Sequence, residues 1–179
     1  HIEALGYQSN FTIYDTDDSK RVIKDCIKQL GLSENIITPK SVLSAISSAK
    51  DMLISPAEYI KENYMDIRKR NIGSVYEAYQ NRLKAADAMD FDDIIVNTVR
   101  LLQNNPEVLE YYQRKFKYIM VDEFQDSNDR QDMIFKLLSR NGNTDEYGSN
   151  LFFVGDVKQS IYGFRLANPE NFIKVMKQF

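Results

Sequence analysis

The sequence has no tryptophan, one cysteine and one histidine. A lone Cys26 excludes an internal disulfide, and with His1 as the only histidine there is no Cys/His cluster for zinc. Such cysteine usage predicts a reducing compartment, hence the cytoplasm. No run approaches the roughly 18 consecutive apolar residues of a membrane span, and no charged-then-apolar leader opens the chain, so neither insertion nor secretion is expected. Nor is there a large charge of one sign: 23 basic and 26 acidic side chains give a formal −3. A nucleic-acid partner would therefore have to be met by a local patch. What the 179 residues do have is 43% hydrophobic and 12% aromatic content, enough to bury a core in one or two domains.

Cys26 lies in "RVIKDCIKQLG", where Val22, Ile23, Cys26, Ile27 and Leu30 repeat at helical spacing. With no histidine to activate it, it reads as a core thiol. From about Asp17 to Phe116 the pattern is helix after helix. The first is expected from about Asp18 to Leu30, stopping at Gly31. Thr38-Pro39, Ser55-Pro56 and Asn105-Pro106 each pair an N-cap residue with proline at the first helical position. They predict helices over roughly 39–53, 56–70 and 106–115. "SVYEAYQNRLKAAD" is another helix, and Asp90 reads as the cap of "DFDDIIVNTVRLLQNN", with Asp92 and Asp93 favoured by the helix dipole in its first turn. The result is a helical region of roughly 100 residues.

After Phe116 the texture changes. "YIMV" at 118–121 and "LFFV" at 151–154 are short continuous apolar runs that read as buried strands, with the helix "SNDRQDMIFKLLSR" between them. Such a crossover implies parallel strands. The expected architecture is α/β, a mainly helical domain (1–116) joined to a partial parallel sheet (117–179). Two strands cannot bury both faces of a sheet, and the one other candidate is "FTIY" at 11–14, so the chain is expected to be part of something larger.

The strand at 118–121 runs straight into "VDEFQD", which sets Asp122, Glu123 and Asp126 within five residues. Carboxylates repel one another and are costly to bury, so the cluster needs a cation, a nearby base or open water. Gly155-Asp156 follows the second strand. Acids from both strands thus emerge at one carboxyl edge of a parallel sheet, where open α/β sheets bind ligands.

"VDEFQDSNDRQ" and "LFFVGDVKQSIYGFR" closely resemble motifs II and III of the superfamily 1 DNA helicases of the UvrD/PcrA/Rep type. "NFTIYDTDD" and "VYEAYQNRLKAADAMDFDDIIVNTVRLL" resemble the segment these helicases place before motif II. The resemblance implies a helical insertion domain joined to part of a RecA-like P-loop NTPase sheet. It implies that Asp122 holds Mg²⁺ and that Glu123 orients or deprotonates the water attacking the γ-phosphate of ATP. Gln159 would sense that phosphate, an amide being able to donate to it and accept elsewhere. Gln125, Asp126 and Arg165 would lie around the nucleotide. Phe164 stands where many relatives carry tryptophan and, with Tyr162, would meet bases of single-stranded DNA; stacking contributes on the order of 1–3 kcal/mol per base. Without the motif around it, Phe164 would read as an ordinary core ring. Val157-Lys158 and Leu166 look more like the RecB/AddA branch, whereas the compact helical region is as in UvrD/PcrA/Rep.

The sequence has no "GxxxxGK[ST]" phosphate loop, the main anchor of a nucleotide. It therefore resembles a piece of an ATP-dependent DNA helicase that moves 3′ to 5′ on single-stranded DNA and unwinds duplex in repair, replication or recombination. The piece alone is expected to be inactive. Residues 61–84 carry six basic side chains against three acidic, densest at Arg68, Lys69 and Arg70. These read as the solvated last turn of a helix or, since the family's insertion domain lies beside the duplex, as a DNA contact. Two other functions fit the residues: a DNA- or protein-binding helical module, and a metal-dependent phosphohydrolase or nuclease using Asp122, Glu123 and Asp156 directly.

Overall fold

Cap residues set where most helices begin. In the computed structural model, which describes residues 1–144, 146–156, 158 and 167–176, the side chain of Asp15 accepts hydrogen bonds from the N–H groups of Asp17 and Asp18, both at 2.8 Å, and so opens α1 (Thr16–Gln29). Gly31, at φ +66°, turns the chain away after it, as expected. Thr38 caps α2 (Pro39–Asp51), and Ser55 caps α3 (Pro56–Glu62) in a reciprocal box with Glu58. Both helices have proline in the first turn.

The single helix expected over 56–70 is broken. Asn63 returns its amide to the Tyr59 carbonyl at 2.8 Å, and Asp66 starts α4 (Ile67–Ala85) by accepting from the Lys69 N–H at 3.0 Å. Two side chains that compete for backbone groups, three residues apart, outweigh the helical periodicity there. Asn105 also departs from its expected role. It makes no side-chain cap for α6 (Pro106–Lys115), and its Nδ2 instead donates to the Leu101 carbonyl at 3.0 Å at the end of α5 (Phe91–Asn104).

The chain divides into two compact units, residues 2–96 and residues 97–179 together with His1. The division falls inside α5, between Val96 and Asn97, whereas the change in sequence texture comes at 116/117. Periodicity reports local conformation and says little about which core a helix enters.

In the unit of residues 2–96, α4 packs against α1, α2 and α3, around Ile23, Ile27, Ile46, Val75, Tyr79 and Leu83. Cys26 lies in this core, fully buried, and burial pushes its thiol pKa up, as an inert core cysteine requires. "FTIY" does supply a strand, β1 (Thr12–Tyr14), which pairs in parallel with β2 (Ala88–Asp90) in the register Thr12↔Ala88, Tyr14↔Asp90. All three residues of β2 are buried, yet "AMD" has no apolar run and no β-branched residue to announce a strand; pairing with β1 decides it.

β2 ends in a buried polar cluster. Lys50, only 3% exposed, reaches Asp90 Oδ2 at 2.7 Å and Asp93 Oδ1 at 2.8 Å. The Tyr79 hydroxyl lies 2.8 Å from Asp90 Oδ2 and 2.9 Å from Ser19 Oγ, and Gln80 donates to Asp93 at 3.1 Å. The Asp90 and Asp93 side chains each accept from the other's backbone N–H, so the expected cap at Asp90 is present. Burial pushes the Asp90 carboxyl pKa up, but the Lys50 charge and the hydrogen bonds it accepts outweigh this and hold it below the usual range. For Asp93 burial wins, helped by the Asp90 charge, and its carboxyl is raised. Tyr79 is likewise raised, by burial first and then by the Asp90 charge.

In the unit of residues 97–179, β3 (Ile119–Val121) pairs in parallel with β4 (Leu151–Phe153), and α7 (Asp129–Leu138) lies between them in sequence, as expected. Ile119, Val121 and Phe153 join Phe124, Phe135, Tyr147, Phe172 and Val175 in one core. Phe172 and Val175 come from α8 (Pro169–Met176). The runs that read as buried strands are covered on one face only, as a two-stranded sheet by itself requires: Met120 is 78% and Phe152 61% exposed, and among the described residues helices pack on the other face. A second small core joins Leu101 and Leu102 to Val108 of α6 and Leu137 of α7. No helix among the described residues is long and apolar enough to cross a membrane.

Candidate functional site

The site grows from the register of β3 on β4. Val121 ends β3 opposite Phe153, and the ladder continues past it: the Val154 N–H donates to the Val121 carbonyl at 2.8 Å and the Phe124 N–H to the Val154 carbonyl at 3.0 Å. These bonds hold the two strand ends level, so Asp122-Glu123 and Gly155-Asp156 leave the sheet at the same edge. Asp122 Oδ1 accepts from the Glu123 N–H at 2.9 Å. Glu123 itself sits in the left-handed region, at φ +50° and ψ +40°, which for a residue other than glycine costs about 1 kcal/mol.

A 3-10 turn, Phe124–Asp126, then separates the residues by fate. Phe124 is fully buried, 4.3 Å from the Phe153 ring, and Gln125 is buried beside it. Asp122, Glu123 and Asp126 are all exposed, and among the described residues none has an ion-pair partner. Gln125 Oε1 accepts from the Asp156 N–H at 3.1 Å, which ties the two strand exits together. Gly155 makes this approach possible, since a Cβ there would lie 2.5 Å from Gln125 Oε1 and 2.9 Å from the Phe172 ring. The Asp156 side chain is also engaged locally, accepting from the Lys158 N–H at 2.9 Å.

The residues present fit a magnesium ion held mainly by water and phosphate. Asp122 offers an exposed carboxylate with Oδ2 left over, and among the described residues no group of three or more acids, histidines or cysteines forms a protein cage for a metal. Mg²⁺ typically uses one or two carboxylates and keeps several waters. Gln159, Tyr162, Phe164 and Arg165 lie outside the described residues.

Arg68, Lys69 and Arg70 stand in the first turn of α4, not in a last turn. All three are exposed, Arg70 Nη1 donates to the Tyr64 carbonyl at 3.4 Å, and among the described residues Arg68 and Lys69 have no ion-pair partner. The dipole at a helix start disfavours cations by about 0.3–1 kcal/mol each, so folding does not account for them.

One junction was not visible in the motifs. Asn168 Nδ2 and Asn171 Nδ2 both donate to Asp129 Oδ1, at 2.8 and 2.9 Å, while the Asn168 N–H donates to the Ser127 carbonyl at 2.9 Å. A signal did exist: Asn168-Pro169 repeats the helix-start pair seen at the other three prolines, and Asn168 Oδ1 accepts from the Glu170 N–H at 3.1 Å.

Comparison with known proteins agrees with this geometry. Residues 1–179 match the UvrD/REP helicase N-terminal domain. The chain is 41% identical over 177 residues to the ATP-dependent DNA helicase PcrA of Staphylococcus aureus, and 40% identical over 177 residues to those of Leuconostoc citreum and Staphylococcus epidermidis. Each alignment takes in 99% of this chain and 23% of the relative, so the chain spans about a quarter of the length of these helicases. A match running the whole chain, on a parallel strand pair that delivers "DEFQD" to its open edge, means that this protein belongs to the UvrD/REP helicase N-terminal domain family of superfamily 1 helicases.

Proposed function

We propose that the chain is part of a cytoplasmic ATP-dependent DNA helicase that couples hydrolysis of magnesium-bound ATP to 3′ to 5′ translocation on single-stranded DNA and to duplex unwinding in repair, replication or recombination. The observation that carries this reading is the end of β3, where Asp122 and strained Glu123 stay exposed and without ion pairs among the described residues, beside the exit of β4. Magnesium, when bound, neutralises charge on the phosphate oxygens. Asp122 would hold the ion. Glu123 orients the attacking water and takes its proton; the strain at its backbone is of the kind retained at reactive positions. Gln125, Asp126 and Arg165 surround the nucleotide, Gln159 senses its γ-phosphate, and Tyr162 and Phe164 meet the DNA bases. Residues 1–116 act as the helical insertion domain and residues 117–179 as part of the ATPase domain.

With no phosphate loop in its sequence, the 179-residue chain alone should show no ATP turnover. In the longer protein, Glu123→Gln should lower DNA-stimulated ATP hydrolysis by about 10²- to 10⁴-fold and abolish strand separation. A Glu123→Gln enzyme that hydrolyses ATP at the wild-type rate would refute the assignment.

Arg68, Lys69 and Arg70 serve as contacts to the phosphates of duplex DNA. The support is their position: exposed, and placed where the α4 dipole opposes them. Replacing all three with alanine should reduce the slope of log affinity against log salt by about 2 to 3, whatever the DNA sequence. An unchanged slope would remove this role.

A further inference from the structure

Asp156 and Asn168, twelve residues apart in sequence, both bond to one short segment, Gln125–Asp129. At its start, Gln125 Oε1 accepts from the Asp156 N–H. At its end, the Asn168 N–H donates to the Ser127 carbonyl, and the amides of Asn168 and Asn171 converge on Asp129 Oδ1. α8, which Asn168 caps, packs its Phe172 and Val175 into the same core as Phe124. Gln125, Ser127 and Asn171 are buried, which shields their bonds from competing water, whereas the Asn168–Asp129 bond meets solvent. An acid in the first turn of α7 would be favourable on dipole grounds alone. That account explains the charge of Asp129 but not why two side-chain amides from another element converge on one of its oxygens.

We infer that Asp129 is a positioning residue: it holds Asn168 and Asn171, which follow "VKQSIYGFR" in sequence, against the segment that follows the turn carrying Asp122 and Glu123, so that DNA bound at "VKQSIYGFR" changes the rate at the acidic turn. The inference rests on the function proposed above and assigns one route by which DNA speeds hydrolysis. Asp129 touches neither nucleotide nor DNA in this scheme. Its effect belongs to the DNA-stimulated rate and not to the basal one.

The experiment measures ATP hydrolysis by the longer protein with and without oligo-dT. Asp129→Ala should lower the DNA-stimulated kcat by about five- to tenfold, the low end of the coupling found between sites, and leave the basal rate and the KM for ATP unchanged. Asp129→Asn keeps an oxygen for the two amides and should restore stimulation. Asn168→Ala should reproduce the loss, and adding it to Asp129→Ala should cost nothing more. Asp129→Ala leaves the buried Asn171 amide without its acceptor, so a thermal melt accompanies each rate, and the unchanged basal rate reports that the fold is kept. Full stimulation in Asp129→Ala, an equal fall of basal and stimulated rates, losses that multiply in the double variant, or an Asp129→Asn enzyme as impaired as the alanine one would each overturn the inference. A wild-type protein without DNA-stimulated ATPase would instead overturn the proposed function, and the inference with it.

Discussion

Two short strands in this chain end in acids, and the acids meet opposite fates. β2 runs into Asp90 and Asp93, which are sealed in the core of their unit against Lys50, Tyr79 and Ser19. β3 runs into Asp122, Glu123 and Asp126, which stay exposed and have no ion-pair partner among the described residues. The first group has its cation supplied by the chain, and the pKa values of its two carboxyls are driven apart. The second keeps its negative charge available to a ligand. The presence of an internal cation, more than the clustering of acids, separates a structural group from a candidate site.

Lys50 carries most of the difference between the two groups. Lys50→Ala leaves two carboxylates buried without a cation, and should destabilise residues 2–96 by about 3–5 kcal/mol, read from faster hydrogen exchange at the Val75, Tyr79 and Leu83 amides. Removal of the Asp122 carboxylate should cost well under about 1 kcal/mol by the same measure on its own unit, as for an exposed group. Equal losses at the two positions would dissolve the distinction.

A smaller effect separates Asp90 from Asp93. The raised Asp93 carboxyl contributes stability in its protonated form, present at low pH and lost as pH rises through its folded pKa. The depressed Asp90 contributes stability at higher pH that is lost as pH falls through its folded pKa. Asp93→Asn should therefore flatten the decline in urea stability above the ordinary aspartate range, near pH 4, whereas Asp90→Asn should cost about 2 kcal/mol at neutral pH by weakening the Lys50 pair. A larger neutral-pH loss in Asp93→Asn would invert the assignment.

The smallest expected effect has the opposite sign. Glu123→Gly relieves the left-handed backbone at φ +50° and should raise the melting stability of residues 97–179 by about 1 kcal/mol. Destabilisation would show that the Glu123 side chain has structural partners after all.

What could be read in advance follows the range of the forces involved. Thr38, Ser55, Asp90 and the prolines act within four residues, so helix starts were visible; Asn63 and Asp66 act over the same range but were hidden beneath an uninterrupted apolar period. β2 was not legible, because "AMD" becomes a strand only by pairing with Thr12–Tyr14, more than seventy residues away. Lys50 left one trace, a charged residue on the Val42-Ile46-Ala49 face of α2, but its two partners lie 40 and more residues along the chain. At the candidate site, "DEFQD" after an apolar run was enough to select Asp122 and Glu123, whereas the left-handed turn at Glu123 and the Asp129 junction were not.

The helices that carry their own caps, the two apolar strands of the second unit and the acids that follow them are written in local sequence, since each depends on neighbours a few residues away. Which acids are partnered and which remain open is set by packing. That depends on where a distant lysine or a pair of asparagines arrives, and charges separated by tens of residues interact only once the chain has brought them within a few ångströms.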